Sequence, residues 1–156
     1  MLIDSIVCKQ PETLDLTGFD IDYISVEWYE ASKKILHKVS KKGTDVGIKL
    51  DECQELRHGD ILWVAGNKAL VVEIPECDCI AIKPKTLIMM GKACYEIGNR
   101  HAPLFFQNEE LLLPYDEPLF KALKKGGLEP YKKSARLISP LGGNEHGHSH
   151  AHAHSG

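Results

Sequence analysis

The chain has 156 residues, room for one ordinary domain or two small ones, and its 43% hydrophobic content is normal for a protein with a packed core. Its formal net charge of −3 with neutral histidines supplies no general attraction for nucleic acid or anionic lipid. No stretch approaches the ~18 apolar residues of a membrane span, and MLIDSIVCK carries Asp4 in its apolar run without a cleavage-site pattern, so a cytoplasmic address without membrane or nucleic-acid partners is expected.

Cys8, Cys53, Cys77, Cys79 and Cys94 make an odd set, which argues for reduced thiols over a disulfide framework. From Met1 to about Pro75 the chain reads as short strands separated by turns. DYISVEWYEA alternates through Tyr23, Ile24, Val26 and Trp28, and IKL, DILWVAG and ALVVEI are short apolar runs divided by KKGTD, RHGD and AGNK. Gly43, Gly59, Gly66 and Asn67 fall where hairpins need positive φ. The expectation is a small all-β domain over residues 1–75.

The rhythm then changes. CIAIKP reads as a strand, followed by a helix from TLIMMGKACYEIGNRH with Thr86 as N-cap and Leu87, Met90, Cys94 and Ile97 on one face. PLFFQNEELLLPY reads as two strands turning at Gln107-Asn108-Glu109. DEPLFKALKKGG is a short helix, capped by Asp116, with Lys124 and Lys125 in its last turn and Gly126 and Gly127 beyond. SARLISPL is read as the closing strand. The order β-α-β-β-α-β over residues 76–140 predicts a mixed α+β chain whose second domain is ferredoxin-like, with two helices on one face of an antiparallel sheet. Residues 141–156 hold too little apolar surface to order themselves and are expected to form a flexible His-rich tail.

Chemistry gathers at two places. In the tail, His146, His148, His150, His152 and His154 fall at every second position, and imidazole is the commonest protein ligand for borderline metals. An appended affinity tag is the bland alternative, although tags are usually uninterrupted runs. The second place is His101, which continues the stripe of the first helix at its end, where Gly98 weakens the helix and Pro103 disfavours α geometry at Ala102. From position alone, a hydrogen-bonded core or capping side chain is the commoner explanation for such a histidine. Cys77, Cys79 and Cys94 read as ordinary small side chains of strand and helix, and His37 and His58 as solvated. Without a Gly-rich phosphate loop, a G-x-S-x-G elbow or an H-E-x-x-H helix, an enzyme is not expected.

The string CYEIGNRHAPL, preceded by GKA and followed two strands later by the Asp116 helix, closely resembles the metal-binding domain of the urease accessory protein E family of nickel metallochaperones. The likeness extends to GTDVGIKLDECQELRHGDIL in front and to the His-rich tail behind, so it covers nearly the whole chain. It implies a homodimer joined through the ferredoxin-like domains, with His101 meeting its symmetry mate around one Ni(II). It also implies delivery to urease, working with the accessory GTPase and the apo-urease assembly complex. One departure stands out: LLLPYDEPL carries no histidine before the second helix, where some relatives do, which leaves the tail as donor of the remaining ligands. Imidazole sites also take Zn(II) and Cu(II), so selectivity does not follow from these residues. Two other readings stay open: metal storage or detoxification through the tail, and a protein-docking adaptor with a non-functional tagged tail.

Overall fold

The structure is a computed structural model that describes residues 1–7, 9 and 14–142. Six strands form the N-terminal part: β1 (Leu2–Ile3), β2 (Asp20–Ser25), β3 (Ile35–Val39), β4 (Asp45–Lys49), β5 (Ile61–Ala65) and β6 (Lys68–Glu73). They build two three-stranded sheets, β1-β4-β3 and β2-β6-β5. Alternation sends Leu36, Val46 and Ile48 from one sheet, and Ile24, Leu70 and Val72 from the other, into a shared core. Strand β6 lies between two neighbours and buries both faces, which is why ALVV reads as a continuous apolar run. Ile61 faces a second cluster, and a register shift between Ile61 and Trp63 lets the consecutive residues Leu62 and Trp63 both pack against the shared core. Gly43 and Gly66 close the two hairpins at φ +90° and +57°.

The C-terminal part runs β7 (Cys77–Ile82), α1 (Leu87–Asn99), β8 (Phe105–Gln107), β9 (Glu110–Pro114), α2 (Glu117–Lys125) and β10 (Tyr131–Ala135). Its sheet has the order β10-β7-β9-β8, and every pair is antiparallel. The two central strands bury both faces. On one, Ile80, Ile82, Leu111 and Leu113 meet Ala93 and Ile97 of α1 and Leu119 and Leu123 of α2. The turn expected at Gln107-Asn108-Glu109 joins β8 to β9 but is one residue shorter: Gln107 pairs with Glu110, and Asn108 and Glu109 form the turn at φ 51° and 60°, as a primed hairpin turn requires.

The final strand differs from expectation. Pairing with β7 uses Tyr131–Ala135, so only Ser134 and Ala135 of SARLISPL belong to it. As an edge strand with one solvated face, β10 carries Lys132 and Ser134 outward and shows little apolarity. The apolar run after it does other work. Leu137 is buried on the sheet face opposite the helices, beside Cys79, Ala81, Phe105 and Leu112. Residues 138–141 then reach the far edge, where the Phe106 amide donates to the Ser139 carbonyl at 2.9 Å and the Leu141 amide to the Leu104 carbonyl at 2.7 Å. The chain thus straps the sheet from one edge to the other.

Trp28, from the N-terminal part, packs on the same face. Its ring meets Phe105 edge-on, with centroids 6.0 Å apart and planes at 82°. A cleft of about 520 Å³ opens beside this contact, walled by Tyr29 and Ile74 on one side and by Leu137 and Pro140 on the other. Among the described residues, no helix is long and apolar enough to cross a membrane.

Candidate metal centre

Helix α1 starts as its sequence requires, with the Thr86 hydroxyl accepting from the Met89 amide at 3.1 Å. Its buried side is Ala93 and Ile97, with Met90 and Cys94 partly covered. Leu87 is not part of that face. It is the first residue of the helix and is 92% exposed.

The last turn is a Schellman motif. Arg100 caps the helix, the His101 amide donates to the Gly98 carbonyl at 3.0 Å, and the Ala102 amide to the Ile97 carbonyl at 3.4 Å. His101 therefore occupies the left-handed position, at φ 52°. Helix α2 ends in the same way: the Gly127 amide donates to Lys124, the Leu128 amide to Leu123, and the left-handed residue is Gly127 at φ 75°. The two helices share a stop signal, yet one spends the glycine position on a histidine. The His101 backbone forms the cap while its ring, exposed and without a hydrogen bond or ion pair among the described residues, stands outside the fold. The core or side-chain-cap explanation suggested by position does not hold.

Beside His101 lies a face with nothing against it among the described residues. Ile88 and Tyr95 are 67% and 69% exposed, and at Gly91 and Gly98 an added Cβ would meet no atom within 4 Å. Together they make a flat, apolar flank along α1 that ends near the imidazole. On the other side, a pocket of about 420 Å³ is framed by Arg100, Ala102, Tyr115, Asp116 and Trp28. The strap ends here too, since Leu141 and Gly142 line a recess with Gly98 and Ala102.

The other candidate ligands separate into three groups. His146, His148, His150, His152 and His154 lie outside the described residues. Among the described residues, no three His, Cys, Asp or Glu side chains gather as a metal cage. The Cys77 and Cys79 sulfurs approach to 3.7 Å, but burial pushes both thiols up, Cys79 to about 12 with further help from its neighbour, and neither is a ready thiolate. Burial also raises Cys94. His37 is exposed and pairs with Asp45 at 2.7 Å.

His58, expected to be solvated, is half-buried and bonded. The Ile74 amide donates to its Nδ1 at 3.1 Å, and Arg136 Nη1 faces the same nitrogen at 3.1 Å. A guanidinium has only donors, so Nδ1 is bare and the proton of the neutral ring sits on Nε2. Sequence reasoning missed this contact because His58 and Arg136 are 78 residues apart.

The described residues form a two-part α+β chain that presents an exposed imidazole at a helix end beside an exposed flank of α1. In comparison with known proteins, the family description "UreE urease accessory protein, N-terminal domain" matches residues 7–75, and "UreE urease accessory protein, C-terminal domain" matches residues 62–156. The chain belongs to the UreE urease accessory protein family. It is 57% identical over 134 residues to the urease accessory protein UreE of Acetivibrio thermocellus, covering 86% of this chain and 88% of that one. Identity to the Flavobacterium johnsoniae protein of the same name is 47% over 126 residues, covering 80% and 76%. For the Helicobacter pylori protein it is 34% over 130 residues, covering 81% and 76%.

Proposed function

We propose that this chain is a cytoplasmic nickel metallochaperone, not an enzyme, that captures Ni(II) and hands it on during urease assembly. The observation that carries the reading is His101 in the left-handed position of the α1 stop, where α2 places Gly127. A non-glycine residue there costs free energy of the order of 1 kcal/mol or more, and such strain persists where a side chain has a use. The exposed ring next to the uncovered α1 flank supports a homodimer in which the flanks pack together and two His101 rings share one ion. The strand order β10-β7-β9-β8 with both helices on one face supports a ferredoxin-like domain over residues 76–140, after a β domain over 1–75 and before a tail over 141–156.

Delivery follows from an incomplete ligand set. Two imidazoles leave several positions open on Ni(II), which accepts four or six nitrogen and oxygen ligands. The strap fixes Leu141 to Leu104, three residues from His101, and His146 lies four residues beyond Gly142, a reach of up to about 14 Å if extended. Tethered histidines at effective concentrations on the order of millimolar complete the shell and then leave it, which a closed four-ligand site would not allow. The accessory GTPase and apo-urease are the proposed recipients. Zn(II) and Cu(II) compete for the same imidazoles.

Calorimetric nickel titration of the full chain, a chain ending at Gly143, and each with His101→Ala tests this. The truncated chain should keep one tight ion per dimer with lower total capacity, and His101→Ala should remove that ion. A truncated chain that binds no nickel at micromolar concentration would assign all tight binding to the tail, as a storage protein requires.

A further inference from the structure

The strap of residues 136–141 is fastened at three points. Arg136 Nη1 donates to the Ile74 carbonyl at 2.7 Å and faces His58 Nδ1 at 3.1 Å. Gln107 Nε2 donates to the Arg136 carbonyl at 2.6 Å, and the Ile138 amide returns a bond to Gln107 Oε1 at 3.3 Å. Beyond these, the Phe106 and Leu141 amides hold the strap to the β8 edge. The first fastening is the only one of the three that reaches the N-terminal part, through Ile74 and the loop carrying His58. The strap's far end, Leu141 and Gly142, lines a recess with Gly98 and Ala102 at the end of α1.

We infer that Arg136 is a positioning residue that roots the C-terminal segment beside His101, and that His58 holds it there only while its ring is neutral. The bare Nδ1 receives two donors at once. Protonation would put an N–H where the acceptor was, aimed at the Ile74 amide and the guanidinium, and add a like charge next to Arg136. The charged groups around the ring are few. Arg136 comes from the strap, Glu73 from β6 attracts the imidazolium but is tied to Lys41, and the Asp60 carboxylate is engaged by the Arg57 amide at 2.7 Å. Burial first, and Arg136 second, lower the His58 pKa, with Glu73 opposing. A histidine whose folded value is lowered gives a stabilisation that is complete above its ordinary value near 6.5 and is lost as pH falls through the lowered one. Acid therefore loosens the strap, and with it the hold on Leu141 and Gly142 beside the end of α1.

The purpose of this device rests on the nickel reading above, but its test needs no metal. Hydrogen exchange of the metal-free full chain at pH 7.5, 6.5 and 5.5, corrected for intrinsic rates, reads the Phe106, Ile138 and Leu141 amides against the Ile80 and Leu112 amides of the central strands. Strap opening in the wild type should increase by up to about tenfold per pH unit below the ordinary imidazole value. His58→Asn keeps an acceptor near the Nδ1 position and cannot titrate, so its strap should stay protected across the range. Arg136→Gln should expose the strap at every pH while the central strands stay protected. Strap protection that ignores pH in the wild type, a His58→Asn chain that follows the wild type, or an Arg136→Gln chain as protected as wild type at pH 7.5 would each overturn the inference. A pH-responsive strap in a chain that binds no nickel would support this device and sink the preceding reading alone.

Discussion

At His101 the backbone and the ring have separate jobs, and substitution can divide them. His101→Gly suits the left-handed cap better than the native residue, so the metal-free chain should gain stability of the order of 1 kcal/mol in urea unfolding even as its tight nickel site disappears. A loss of stability would mean that the ring has a structural partner. The mirror experiment is Gly127→Ala, which imposes a Cβ on the same conformation in α2 and should cost about 1 kcal/mol or more with nickel binding unchanged. Glu110 is the buried counterexample of a carboxylate that is fully employed. Burial works to raise its pKa, but Lys133 at 2.7 Å, the Tyr131 hydroxyl at 2.8 Å and Lys83 outweigh this and hold it below the usual carboxylate range. Burial, helped by the hydrogen bond to Glu110 and its charge, pushes the Tyr131 phenol up to about 12. A lowered carboxylate adds stability that is present above its ordinary value near 4.5 and is lost as pH falls through the folded one. Glu110→Gln should therefore be less stable at neutral pH and show a flatter decline in acid, measured by urea midpoints from pH 7 to pH 3.

At the level of elements, both helices were legible because each announces its ends with local chemistry. Thr86 and Asp116 cap as the sequence indicates, and Gly126-Gly127 stops α2. The α1 stop was harder to read, since its left-handed residue is a histidine and no glycine flags the motif. The hairpin at Asn108-Glu109 was visible for the same local reason. β10 was not, because an edge strand of the pattern Tyr-Lys-Lys-Ser-Ala has almost no periodic signal, and the apolar residues nearby belong to the strap. Long-range pairings escape such reading altogether: Arg136 with Ile74, Trp28 with Phe105 and Phe106 with Ser139 are products of the folded topology.

For the whole molecule, the decisive feature is the flank of α1 that is exposed among the described residues. In a chain that stays monomeric, Ile88 and Tyr95 would be exposed with no compensating gain, whereas a paired flank buries both and brings the two helix ends together. The double substitution Ile88→Glu with Tyr95→Glu should leave far-UV dichroism unchanged, halve the mass found by sedimentation equilibrium, and abolish the shared tight ion although His101 is intact. A dimer that survives these two charges would place the interface elsewhere. One further property follows from where the aromatic rings sit. The chain has two tryptophans: Trp63 packs against the N-terminal core, and Trp28 lies edge-on to Phe105 where the two parts meet. With Trp63 replaced by Phe, the remaining indole emission would report the junction by itself, so the molecule contains an optical gauge of how its halves part, readable in dilute solution without any attached dye.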